Sequence, residues 1–137
     1  MNVFRSIIAA LRGGTPGFAV LEASLLSEVE RHLDADRADK LRRRVAGTNL
    51  VQRLDGGRQV NAYAIRNGKP TRDESMRLVV EDDERMLATF SFIGANRIDY
   101  EGAIWLVKGQ FFSIEFNNPT EHALDDQPTA LQLSVRI

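Results

Sequence analysis

The sequence predicts an α+β domain in which two or three N-terminal helices pack on one face of a mostly antiparallel sheet of about five to seven strands. Two observations predict it. Apolar residues recur three or four apart as far as Gly47, and from Asn49 onward the period shifts toward two. No helical segment returns between the strands, so the βαβ alternation of a parallel sheet is missing. A chain of 137 residues has the length of one ordinary core, so residues 1–137 are expected to form a single domain, helical over 1–47 and strand-rich over 48–137.

The segment Asn2 to Arg12 places Val3, Phe4, Ile7, Ile8 and Leu11 at helical spacing, and Gly13-Gly14 ends the run. It reads as a short amphipathic helix on its own core, since Arg5 and Arg12 are few charges for a membrane-surface arm. Thr15 followed by Pro16 reads as an N-cap with proline in the first helical position, where its missing N–H costs nothing. Phe18, Leu21, Leu25, Val29 and His32 or Leu33 then form a core-facing stripe, with Glu22, Glu28, Glu30 and Arg31 toward water. Asp34 and Asp36 can each cap a new turn, so the pattern either runs on or breaks near Ala35. Leu41 and Val45 carry it to Gly47.

Leu50 to Leu54 and Gln59 to Arg66 flank Asp55-Gly56-Gly57-Arg58, a glycine-containing turn that makes them a hairpin. Asn67-Gly68-Lys69-Pro70 is a second turn. Thr71 to Val80 is a strand, an irregular segment, or one helical turn capped by Thr71 and Glu74, with the first two preferred. Met86 to Ile93 sets Met86, Ala88, Phe90 and Phe92 against Leu87, Thr89, Ser91 and Ile93, and Gly94-Ala95-Asn96 turns the chain into an extended Arg97 to Glu101. Ala103 to Val107 and Gln110 to Phe116 meet through Lys108-Gly109 as a third hairpin. After a polar loop bounded by Asn117-Asn118-Pro119-Thr120 and Asp125-Asp126-Gln127-Pro128, Leu131, Leu133, Val135 and Ile137 alternate inward, which places the chain's end in the sheet.

A net charge of -1, 43% hydrophobic residues and 27% charged residues describe a water-soluble packed domain and argue against disorder or a coiled coil. No apolar run reaches the roughly 18 residues of a membrane span, and the first residues lack the pattern of a secretory signal, so no membrane partner is expected and the expected compartment is the cytoplasm. Zero cysteines exclude disulfides, thiolate nucleophiles, iron–sulfur clusters and cysteine-bound zinc. Arginine far outnumbers lysine, whose only positions are Lys40, Lys69 and Lys108; that fits the coding bias of a GC-rich, bacterial genome. Charge is unevenly spread. Met1 to Arg72 holds 13 basic and 7 acidic residues, whereas Asp73 to Ile137 holds 5 basic and 12 acidic. A dipolar surface follows, suited to steering a charged partner or pairing head to tail with another copy.

Motifs of chemistry are scarce. Gly13-Gly14-Thr15-Pro16-Gly17 leads into a helix but has neither the preceding strand nor the Lys-Ser/Thr pair of a phosphate loop. Arg37, Lys40 and Arg42-Arg43-Arg44 form a basic helix end that complements the helix dipole, and no aromatic residue stands between Phe18 and Tyr63 to stack a base, so nucleic acid is not expected. His32 and His122 lie in no metal-ligand spacing; Glu121, His122, Asp125 and Asp126 read as a solvated acidic loop, so neither metal nor cofactor is expected. Asp99, Glu101 and Glu115 read as the solvent side of the sheet, opposite a core of Phe112, Ile114 and Phe116. No Gly-x-Ser-x-Gly occurs, and no catalytic residue is assigned. The run Asn49 to Leu54 with Gly57 to Tyr63 resembles small bacterial proteins, a resemblance that implies no activity.

Two functions are compatible with this reading. The first is a non-catalytic protein-interaction domain that binds a protein partner or, in its simplest version, a second copy as a homodimer, through its charge split and its apolar last strand. The second is a small-molecule binder or enzyme with a pocket between a curved sheet and the N-terminal helices. Tyr63, Phe90, Phe92, Tyr100, Trp105 and Phe112 would wall that pocket, with Asp99, Glu101 or Arg53 as its polar groups. The ligand-binding candidates are accordingly Tyr63, Tyr100, Trp105, Asp99, Glu101 and Arg53.

Overall fold

A computed structural model describes residues 13–137. The helix expected over Asn2 to Arg12 lies outside them. In chain order the elements are β1 (Gly14–Thr15), α1 (Val20–Arg31), α2 (Ala35–Gly47), β2 (Leu50–Leu54), β3 (Gln59–Arg66), β4 (Lys69–Thr71), β5 (Arg85–Ile93), β6 (Asp99–Val107), β7 (Gln110–Phe116) and β8 (Thr129–Val135). The eight strands form one sheet in the order β1-β2-β3-β7-β6-β5-β8, with β4 also paired to β3, and every pairing is antiparallel. Two helices packed with an antiparallel sheet are the α+β architecture that the period change predicts. The count of eight exceeds the expected five to seven because β1 and β4 are strands of two and three residues, too short to show an alternation.

The core lies between the helices and one sheet face. Leu21, Leu25, Leu26 and Val29 of α1 and Leu41 of α2 meet Val51, Val60, Ala62, Ile104, Leu106 and Ile114 from the strands. Toward one end the layer becomes aromatic: Tyr100 stacks on Phe92 with ring centroids 4.9 Å apart, and Phe116 meets Phe90 edge-on at 5.3 Å. Gly102 makes this possible, since a Cβ there would stand 2.6 Å from Cζ of Phe90. A side chain on that glycine would displace the ring.

Some local expectations are corrected, and two that the sequence left open are decided. Thr15 belongs to β1 and does not cap α1; the helix starts at Val20, and the Ala19 N–H donates to the Glu22 carboxylate at 2.8 Å. Residues 1–47 are therefore not wholly helical. Glu22 does not face water but is fully buried, because Arg53 of β2 meets it from the sheet. The helical pattern breaks at Asp34, whose carboxylate accepts from the Arg37 N–H and caps α2. Glu74–Met76 is a single 3-10 turn capped by Asp73, so the stretch to Val80 is irregular and not a strand.

Bulges displace two faces of the predicted alternation. In β5 the register with β6 shifts at Leu87, so Met86 stands opposite Trp105 while both Leu87 and Ala88 are buried. In β7 the shift puts Phe111 opposite Leu106 and Ser113 opposite Trp105. Phe111 therefore fills the core place expected of Phe112, whose ring lies against Tyr63.

Candidate functional site

The six predicted ligand-binding residues are distributed over the fold and do not converge. Tyr100 is 1% exposed in the core, its hydroxyl donating to Pro119 O and accepting from Asn96 Nδ2, each at 3.1 Å. Arg53 donates through Nε and Nη2 to the two oxygens of Glu22, at 2.7 and 2.6 Å, and through Nη1 to Thr15 Oγ1. That bidentate pair joins β2 to α1, with its donors already engaged. Asp99 is exposed at the start of β6, where its carbonyl accepts from Asn118. Tyr63 packs edge-on with Phe112 at 5.3 Å in a different part of the sheet. Glu101 and Trp105 alternate away from the buried Tyr100, Ile104 and Leu106, which puts them on the sheet face opposite the helices.

The interval between helices and sheet, where a pocket was expected, is filled by the core. Phe90, Phe92 and Tyr100 are consumed by its aromatic cluster. Open space lies on the other face. A groove of about 770 Å³ runs across β8, β5, β6 and β7, lined among others by Thr89, Ser91, Glu101, Glu115, Gln132 and Ser134. Strand register makes this lining: Ser134 opposes Thr89, Thr89 opposes Ala103, and Ala103 opposes Glu115, while Gln132, Ser91 and Glu101 form the neighbouring row. Among the described residues neither Glu101 nor Glu115 has an ion-pair partner, and no group of three metal-ligating side chains converges.

The groove is bounded on one side by β8, which among the described residues is the outermost strand and pairs only with β5. Arg136 N–H donates to Leu87 O at 2.8 Å, which fixes the parity of the ladder. Residues 132 and 134 direct their main-chain groups toward β5; Leu131, Leu133 and Val135 direct theirs outward. Their side chains are half-buried against the core, while Gln132 and Ser134 are exposed on the open face. Between Thr129 and Val135 there is no charged residue and no proline. The devices that protect a free edge are confined to its start, where Ala130 takes a φ of 51° at a register shift. The sequence showed an apolar last strand; its place at the edge depends on strand order, which periodicity does not encode.

No protein-family model, no curated protein and no solved structure matches the chain. Among the described residues no helix is long and apolar enough to cross a membrane.

Proposed function

We propose that the protein is a non-catalytic interaction module that associates with a second copy through the outer edge of β8, extending the sheet across a two-fold axis. The observation that carries this reading is the uncharged, regularly extended edge from Leu131 to Val135. Antiparallel pairing about an axis at Leu133 sets Leu131 against Val135 of the second copy, so the outward N–H and C=O groups meet one another. Gln132 then faces Ser134 on the open side, and Arg136 faces Ala130. No like charges are opposed. About six new main-chain hydrogen bonds, worth roughly 0.5–1.5 kcal/mol each, work against an association cost of at least about 4 kcal/mol, which leaves at most about 5 kcal/mol and a weak dimer with a dissociation constant of about 0.2 mM or more. Joining the edges also joins the two grooves into one continuous groove.

The test uses side chains that point to solvent. Gln132→Lys combined with Ser134→Lys brings ammonium groups together across the axis and leaves the β5 ladder intact. Sedimentation from about 20 µM to 1 mM is expected to show a concentration-dependent dimer for the native chain. The double variant is expected to stay monomeric with an unchanged melting temperature. A native chain that is monomeric throughout, or a variant that dimerises equally well, overturns the reading.

The groove supports a second reading, that of a small-molecule binder. Its favouring observation is the pair of carboxylates, Glu101 and Glu115, that share the groove without a cationic partner among the described residues. A cationic or polyhydroxylated ligand suits that lining. Quenching or enhancement of Trp105 fluorescence by such ligands, lost in Glu101→Gln, supports it; a flat response to a cationic and carbohydrate panel removes it.

A further inference from the structure

Arg44 is a buried cation whose charge has no counter-ion among the described residues. It leaves the last turn of α2 with 5% exposure, while Arg37, Lys40, Arg42 and Arg43 of the same helix each reach a carboxylate at the surface. Nε of Arg44 donates to Phe111 O at 2.9 Å and Nη2 to Ala62 O at 3.0 Å. Among the described residues no carboxylate pairs with it. Two neutral carbonyls occupy some of its five N–H donors and none of its charge. Burial and the nearby charge of Arg72 bring its pKa down to about 10. A charge removed from water in this way is costly unless an anion accompanies it.

The place is defined by the sheet. β7 pairs with β3 only along Gln59 to Asn61, and β4 pairs with β3 from Ala64 to Arg66. Arg44 reaches the interval between them from the helix side. Tyr63, which alternates away from the buried Ala62, and Phe112, displaced by the bulge, stand on the other side. They help enclose a pocket of about 130 Å³ that is also lined by Arg44, Pro70, Thr71 and Arg72. No acidic residue occurs between Asp55 and Asp73, and the Asp73 carboxylate is engaged by the N–H and hydroxyl of Ser75.

We propose that this pocket binds a small oxyanion, carboxylate or phosphate, between the guanidinium groups of Arg44 and Arg72. The volume admits a few water-sized groups, which is the scale of such an anion. Arg44 supplies a fixed donor set, because its bonds to Ala62 and Phe111 hold the guanidinium in place before any ligand arrives. Arg72 is exposed and supplies the second cation from the mouth. The rings of Tyr63 and Phe112 keep water from one wall, which strengthens the attraction at the guanidinium. Tyr63 is the one predicted ligand-binding residue that lines this pocket.

Melting curves and amide nuclear magnetic resonance titrations with sodium phosphate and sodium acetate, against sodium chloride at equal ionic strength, test the proposal. At roughly ten times its dissociation constant, the bound anion is expected to raise the melting temperature by about 4 °C. Shifted amides are expected at Tyr63 to Arg72 and Phe111 to Ser113. Which salt acts tells a phosphate site from a carboxylate site. Arg44→Met tests the buried cation but also removes its two carbonyl contacts; Arg72→Ala is the surface variant that leaves the fold alone. Arg72→Ala should melt like the native protein in chloride and bind at least about ten-fold more weakly. Equal melting in all three salts, shifts outside the pocket, or an Arg72→Ala protein that binds as tightly as the native one overturns the proposal.

Discussion

Glu22 occupies a polar position in the helical pattern of α1 and is nevertheless fully buried. Its two oxygens are shared among the Ala19 N–H and the fork of Arg53, so one side chain both closes the first turn of α1 and fastens that helix to β2. Glu22→Ala removes the carboxylate and leaves the largely buried Arg53 guanidinium without its partner. The expected cost is about 3 kcal/mol, at the lower end for broken buried pairs because the Arg53 side chain keeps 16% of its surface in water. The melting temperature should fall by roughly 10 °C. Glu22→Gln, which still accepts from Ala19, should lose less. Equal stability of Glu22→Ala and the native chain in thermal and urea unfolding would mean that water replaces the pair without loss. None of this was legible in the sequence. Periodicity assigns a face to each residue singly, and Arg53 lies 31 positions away on another element.

At the scale of elements, alternation located the long strands and turn chemistry located the hairpins. Asn67-Gly68 and Lys108-Gly109 both place two consecutive positive φ values between paired strands, which Asn67 and the two glycines favour and Lys108 adopts because the tight hairpin imposes it. The bulges at Leu87 and Phe112 left no mark, because an extra residue shifts the alternation without changing its composition. Phe111 and Phe112 are chemically alike, and only the register against β6 decides which enters the core. The segment from Asp73 to Val80 was ambiguous for a different reason: it is held by distant groups and not by its own pattern. Gln110, 1% exposed, donates through Nε2 to Asp73 O at 2.8 Å, and the Leu78 N–H donates to Gly109 O at 2.7 Å. Gln110→Ala should destabilise the fold by about 1 kcal/mol and accelerate hydrogen exchange at Leu78 more than at strand-centre amides such as Ile104. Uniform acceleration at both would show that Gln110 supports the sheet as a whole and not this segment.

For the whole molecule, the charge asymmetry of the sequence becomes a direction in the sheet. β1 to β4 come from the basic part of the chain and lie toward one end of the strand order. β5, β6 and β8 come from the acidic part and lie toward the other, with Glu101 and Glu115 on the open face between. To the extent that charges follow their strands, strand order turns a difference along the sequence into a dipole across the molecule. The same dipole distinguishes two ways in which copies can meet. Head-to-tail contact brings a basic end to an acidic end, attracts at low salt and propagates into open chains. The two-fold β8 pairing brings together two strands that carry no charge from Thr129 to Val135 and is held by main-chain hydrogen bonds, so it does not depend on long-range attraction. Raising the salt from about 0.05 to 0.5 M shrinks the screening length from roughly 14 to 4 Å and should leave the two-fold dimer at least as strong. Sedimentation across that range decides between the arrangements. A dimer that persists at high salt and stops at two copies matches pairing at β8, whereas assemblies that grow at low salt and dissolve at high salt match the head-to-tail contact and remove β8 as the interface.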